Sequence, residues 1–397
     1  MVSGPSRYPS LAHVRKNLKI RWYRCSVEPD LLRRLTQRSD LQGWLQAGGH
    51  LLLFVATGTL TYLLFANRIW VGFALALFAH GTVCSFFRGS ATHELGHGTV
   101  FKTKWLNRFF LCLFGLIGWN NHHVVSVSHT YHHRYTLHPE GDRELVLPLN
   151  PILKVVDLLQ LFVFLVWRSH DGLIPVVYHF VKTAFGSLKS SSTFGTPDEY
   201  WVGEIFEDLP EVKKKAVNWA RLTLLFHAAV IALAISFQLW LLPVLITLTV
   251  FIAKGWTVIV GLPMHCGLRD NVPDFRKCVR SIVLDPVSTF LYWRMNWHTE
   301  HHMFAAVPCY NLKKLYRVIA DDMPQPRTLI GAWREMRETW RRQQQDPGYQ
   351  FDTPVPARAD ENGVEALEDE LSASIGDLAP SEIAAPYSAS EEEGIIS

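Results

Sequence analysis

The sequence predicts an all-α integral membrane protein: two transmembrane helical hairpins, four spans in all, beneath a cytoplasmic helical cap that holds a histidine-rich di-metal site. Three observations predict it. Long uncharged apolar runs come in two adjacent pairs. Histidines are crowded, with eight of the 18 between His93 and His138 and three more in His298–His302. Charge is split, because the stretch from Asp352 onward carries 12 acidic residues and one basic residue while the preceding 351 residues carry a net charge of +14.

Taken in chain order, residues 1–43 form a basic arm with nine Lys/Arg against three acids and no apolar core of the kind a cleavable signal peptide needs. The membrane catalytic region is expected over 44–351. Its first hairpin pairs a span near 45–66 with one near 69–87, separated by Asn67-Arg68. Twenty-two uncharged residues at 1.5 Å each reach about 33 Å, enough to cross the hydrocarbon core. The second hairpin pairs 219–240 with 241–260, and Lys213-Lys214-Lys215 precedes it. The positive-inside rule puts both chain ends and the central region in the cytoplasm. Leu106–Trp119 and Val155–Trp167 are too short for spans and are expected at or re-entering the interface; Val155–Trp167 with Gly172–Phe185 is a further possible hairpin, against which the polar tip Arg168-Ser169-His170-Asp171 argues. Asn311–Gln345 is amphipathic and is expected on the membrane surface or packed under the site. Residues 352–397, acidic and poor in aromatics, read as disordered. The six cysteines have no C-x-x-C spacing and read as isolated thiols, and no nucleic-acid partner is expected.

The histidines fall into three boxes: His93-Glu94-Leu95-Gly96-His97, His129-Thr130-Tyr131-His132-His133 and His298-Thr299-Glu300-His301-His302. On a helix, positions i, i+3 and i+4 share one face, so each box projects two or three imidazoles in one direction. The first box alone also matches the zinc-protease pattern H-E-x-x-H, with Glu94 as general base. A single zinc takes three or four ligands, however, and eight boxed imidazoles suit two metals. All three boxes adjoin span ends on the same side of the membrane.

HELGH, HTYHH and HTEHH around two apolar hairpins resemble the membrane fatty acid desaturase/hydroxylase superfamily, over roughly residues 45–325. The stretch after the third box resembles bacterial desaturase-like proteins, some of them hydrocarbon oxygenases. The resemblance implies a non-haem di-iron enzyme that uses O2 and two electrons on an acyl or hydrocarbon chain. It implies His93, His97, His129, His132, His133, His298, His301 and His302 as ligands, and His265, just after the fourth span, as a ninth. Asp142, Glu144, Asn296, Glu300 and Glu94 are candidates to accept the outward imidazole N–H. Trp119, Tyr131 and Trp297 are candidates to line a substrate tunnel. His122 and His123 lie outside the pattern, as groups that touch the ligating imidazoles, pocket residues or an ordinary polar turn. His50, His80 and His227, inside the spans, are expected to hydrogen-bond between helices.

Within the resemblance, Tyr131 before the paired histidines, where membrane alkane hydroxylases normally carry Gly, favours an acyl desaturase. A membrane hydroxylase is the alternative, and a membrane zinc metalloprotease a distant one. With neither a cytochrome b5-like His-Pro-Gly-Gly nor an iron–sulfur cysteine cluster, electrons are expected from an external donor, a ferredoxin or a cytochrome b5 with its reductase. The other partners are the lipid or acyl substrate and the bilayer.

Overall fold

The computed structural model describes residues 8–144, 159, 162–166, 172–188 and 201–356. Most of the Val155–Trp167 segment and the acidic stretch from residue 357 onward lie outside the described residues.

The basic arm is built into the body. Helix α1 (Leu11–Asn17) starts where the Ser10 hydroxyl accepts the amide of His13, and α2 (Pro29–Leu35) where Glu28 accepts the amides of Asp30 and Leu31. Leu11, Val14, Cys25 and Leu35 are buried. The third helix, α3 (Asp40–Ala66), passes through a wide turn at Trp44–Gly48 and then runs regularly to Ala66. A turn with Arg68 at φ 58° reverses the chain into α4 (Trp70–Ser85). Leu52, Val55, Leu63, Val71 and Leu75 on this hairpin are at least half exposed. A continuous apolar outer face of that kind fits lipid as the surrounding solvent.

Beyond α4 the helix breaks at Arg88-Gly89. Gly89 has φ 106°, a conformation open to glycine and costly for other residues. The break re-aims the chain into α5 (Thr92–Gly96), the first box. Next come α6 (Lys104–Ile117), which buries Leu106, Phe110, Phe114 and Ile117 on one face, and α7 (His122–Tyr135), which carries the second box. α8 (Leu173–Ala184) and α9 (Trp201–Glu204) lead into α10 (Pro210–Ser236), a 27-residue helix. Among the described residues three helices are long and apolar enough to cross a membrane: Asp40–Ala66, the α4–α5 stretch Trp70–Gly96, and Pro210–Ser236.

The helix that carries the third apolar run starts earlier, at Pro210, and includes Lys213-Lys214-Lys215. The expected fourth span, 241–260, is not one helix. It divides into α11 (Leu242–Ile246), a short turn at Thr249–Phe251 and α12 (Gly255–Gly261), with Ile252 extended and Ala253 at φ 54°. Apolar composition does not distinguish a straight helix from a broken one. Backbone freed inside a membrane protein has to be satisfied by other groups. Here His80 Nε2 contacts the Leu245 carbonyl at 2.9 Å, and Trp119 Nε1 donates to the Thr247 carbonyl at 2.9 Å. A Cβ on Gly81 would lie 2.5 Å from the Ile252 carbonyl oxygen, so only glycine lets the break dock on α4. His50 and His227 also bridge helices, to the Val83 carbonyl and to Thr247 and the Leu116 carbonyl.

The rest of the chain folds against these helices: α13 (Phe275–Cys278), strand β1 (Ile282–Val283), α14 (Pro286–Leu291), α15 (His298–Met303), α16 (Leu312–Ile319), strand β2 (Arg327–Thr328) and α17 (Leu329–Gln343). The two strands pair in parallel. α16 buries Leu312, Leu315 and Ile319, and α17 buries Ala332 and Met336, so the amphipathic run lays its apolar faces on the protein core.

Candidate metal centre

Each box occupies a short, locally determined helix. His93 lies on α5 with His97 at its end, box two forms the last two turns of α7, and box three begins α15. His265 follows the turn Leu262–Met264 at the end of α12. The nine imidazoles converge and divide into two groups. His93, His97, His129, His133 and His301 form one; His132, His265, His298 and His302 form the other. Within each group the candidate ligand atoms lie within 4.8 Å of one another. The helical spacing explains the division: His132 and His133 diverge by about 100° around α7, as His301 and His302 do around α15, and so face different groups.

Hydrogen bonds on the outer side fix the direction in which lone pairs point. His132 Nδ1–H donates to Asp142 Oδ2 at 2.9 Å. His265 Nδ1–H donates to the Cys278 carbonyl at 3.1 Å. The Thr136 hydroxyl donates to the His132 carbonyl at 2.6 Å and so accepts His302 Nδ1–H at 3.1 Å. With these protons directed outward, Nε2 of His132, His265 and His302 carries a lone pair inward. Yet His132 Nε2 and His302 Nε2 are 3.2 Å apart, with no proton between them. His298 Nε2 lies 3.0 Å from His265 Nε2 and 3.2 Å from His302 Nε2. Converging lone pairs in a buried pocket call for a cation. The other group repeats the pattern: His129 Nδ1–H faces Glu144 at 3.3 Å, His93 Nε2 meets His301 Nε2 at 2.8 Å, and the Nε2 atoms of His129 and His133 are buried without a hydrogen-bond partner. Imidazole sets of this kind suit iron, zinc, copper or nickel, so the residues fit a two-metal centre.

Electrostatics agree with neutral imidazoles. Burial pushes His97 and His132 down to about 3, and His133, His265, His298, His301 and His302 well below the ordinary 6.5. Neutral imidazole is the form that binds metal. Burial raises Asp142 to about 6, opposed by its hydrogen bond from the Leu137 amide.

The remaining candidates divide. Asp142 and Glu144 meet imidazoles. Glu94 lies 3.5 Å from His301 Nδ1 and 3.9 Å from His93 Nε2. Asn296 and Glu300 turn elsewhere: Asn296 Nδ2 donates to the Ile282 carbonyl, and Glu300 accepts the Ser281 hydroxyl at 2.6 Å. Both brace the backbone around box three. Trp119 stacks flat on His227 at 4.0 Å, and Trp297 packs against Tyr316 at the start of α15. Tyr131 projects from α7 onto Trp201 and Tyr135, with its hydroxyl held by Arg15 at 2.6 Å; it belongs to the cluster with Val124 and Val127, while the box-two histidines belong to the metal groups. His122 and His123 lie side by side, with His122 edge-on to Trp219, apart from both groups. Sequence reasoning missed Thr136 and the Cys278 carbonyl. Thr136 lies one turn beyond His132, a spacing that could have drawn notice; a carbonyl carries no side-chain signal.

A family model described as fatty acid desaturase matches residues 68–333, about two thirds of the chain and all nine histidines. The chain belongs to the fatty acid desaturase family, which with its three long apolar helices makes it a membrane oxidoreductase. A comparison with curated proteins finds no match.

Proposed function

We propose that the chain is an O2-dependent di-iron desaturase that introduces a double bond into the acyl chain of a lipid. The reading rests foremost on the inward lone pairs of two adjoining imidazole groups, which suit one metal ion each. His93, His97, His129, His133 and His301 would hold one iron, and His132, His265, His298 and His302 the other. Bound iron would supply, with O2 and two external electrons, the means to remove hydrogen from a methylene that no side-chain base can deprotonate.

The chain's own residues do the rest. Asp142, Glu144, Thr136 and the Cys278 carbonyl hold the outward imidazole protons and keep the inner nitrogens free. The aromatic core around Phe87, Phe114 and Trp293 excludes water from one flank of the site. Trp119 and Trp297 are the candidates to line an apolar path for the substrate. The protein is multi-pass, with the second long hairpin completed by the broken segment 242–261, and the site and both termini face the cytoplasm. The basic arm and Lys213-Lys214-Lys215 support that orientation. A ferredoxin or a cytochrome b5 with its reductase supplies the electrons. Nine converging imidazoles also weigh against a protease, which would use one zinc and leave most of them idle.

Purified protein given a labelled acyl lipid, NAD(P)H and a reductase–carrier pair should yield the alkene, with about two iron per chain. Alcohol as the only product overturns desaturation in favour of hydroxylation. One zinc and no iron overturns the whole reading.

A further inference from the structure

The turn Gly141-Asp142-Arg143-Glu144 touches both histidine groups. Asp142 accepts His132 Nδ1–H, in the group of four, and Glu144 accepts His129 Nδ1–H, in the group of five. Between the two carboxylates stands Arg143, only 3% exposed and directed the other way. One of its nitrogens donates to Glu204 on α9 at 2.8 Å. A second, Nη2, donates to the Pro9 carbonyl at 2.8 Å and to the Glu140 carbonyl at 3.2 Å. Its guanidinium also lies over the rings of Tyr8 and Trp201, 4.7 and 5.6 Å from their centroids.

The turn is pressed close to the second box as well. A Cβ on Gly141 would fall 2.4 Å from the Tyr135 ring, and Asp142 ties back on itself by accepting the amides of Leu137 and Glu144. These contacts leave Arg143 as the bolt that fastens the turn to the N-terminal arm and α9, elements far from the histidines in sequence. A buried arginine held by several directed hydrogen bonds defines orientation in a way that a flexible lysine does not.

We propose that Arg143 is a positioning residue that sets the two metal groups together, through Asp142 and Glu144, and that its anchors on Glu204 and Pro9 make metal retention depend on the arm and on α9. The proposal rests on the two-metal reading. Loosening the turn frees both carboxylates, so His132 and His129 lose their fixed orientation in one step.

The test uses full-length protein carrying Arg143→Leu, Arg143→Lys or Glu204→Gln. Two quantities are read: iron per chain after a fixed chelator challenge, and the Co2+ affinity of each group in metal-free protein, followed by ligand-field absorption. Arg143→Leu should weaken both groups about tenfold, the lower end for loss of an outer-shell partner. Glu204→Gln should weaken both in the same sense by a smaller factor, and Arg143→Lys should restore part of the loss. A merely structural role would lower thermal stability without moving the two affinities together. Arg143→Leu protein that folds and keeps wild-type affinities, or loses affinity at one group alone, overturns the proposal. Should Arg143→Leu fail to fold, unchanged affinities in Glu204→Gln overturn it. Wild-type protein that takes up no metal at all overturns the two-metal reading itself, an outcome distinct from a wild type that fills both groups.

Discussion

The two histidine groups are built differently. All four members of the His132 group are buried, whereas three of the five in the His93 group are partly open. Three of the four buried imidazoles have a close outer acceptor: Asp142 at 2.9 Å, Thr136 at 3.1 Å and the Cys278 carbonyl at 3.1 Å. The open group relies on Glu144 at 3.3 Å and on Glu94 at 3.5 Å from His301. Tight outer partners fix ring orientation and raise ligand basicity. On the two-metal reading the closed group is thus organised to keep a metal, and the open group leaves room for exchange and for access from outside.

The largest effect should come from His298→Ala. His298 sits between His265 and His302 in the closed group, and its loss leaves a buried, under-ligated pocket. Desaturation should fall below detection and the closed group should lose its metal, whereas His97→Ala, in the open group, should leave iron in the closed one. Co2+ titration of each group beside a product assay checks this, and loss of the closed group's metal in His97→Ala as well would erase the distinction.

Acid should come next. Seven imidazoles outside the spans are held below the ordinary 6.5 by burial, His97 and His132 down to about 3. Below pH 6.5 the unfolded chain takes up protons that the folded one refuses. The stability of metal-free protein therefore falls as pH drops through that value, and keeps falling toward the folded pKa values. Each imidazole contributes up to about 1.4 kcal/mol per pH unit in that window. Melting of metal-free protein in detergent should move sharply downward between pH 6.5 and 4.5 and stay flat above pH 7.5, with the shift reduced once metal occupies the groups.

A sharper contrast lies in the outer acceptors. Asp142→Asn should weaken metal binding at the closed group by about 10–100-fold. Glu144→Gln, which removes the longer contact, should weaken the open group by less than about tenfold. Co2+ titration of each variant measures both. Similar losses from the two variants would mean that the difference in contact length carries no energy.

Much of this centre was legible in the sequence because helical spacing is a strong constraint. Boxes written at i and i+4, two of them with i+3 as well, have to present clustered imidazoles wherever their helices lie, and the family resemblance implied His265, just after the fourth apolar run. The partition into groups of five and four was not legible. It depends on how α5, α7 and α15 cross, which a single sequence does not encode locally. Thr136 and the Cys278 carbonyl act through space, as does the clamp on Arg143 by Glu204, 61 residues away. The fold was readable to the same depth. Apolar length revealed the first hairpin and α10, but the break at Ile252–Ala253 depends on Gly81 and on side chains from other helices that satisfy the freed carbonyls.

The smallest expected effect is also the one that best separates the chemistry of this site from that of a zinc protease. Glu94 is buried beside the open group, near His93 and His301, and its Oε1 has no hydrogen-bond partner. In a protease it would be the general base, and Glu94→Gln would remove nearly all activity. In a two-metal centre it only stands near the imidazoles, 3.5 Å from His301 Nδ1 with no hydrogen bond to it. Glu94→Gln keeps the shape and one oxygen, so the variant should retain both metals and most of its turnover, with a loss within about threefold, less than loss of a full outer-shell contact. A product assay beside iron analysis decides the point: a fall of several orders of magnitude with both metals retained would return Glu94 to the chemical step.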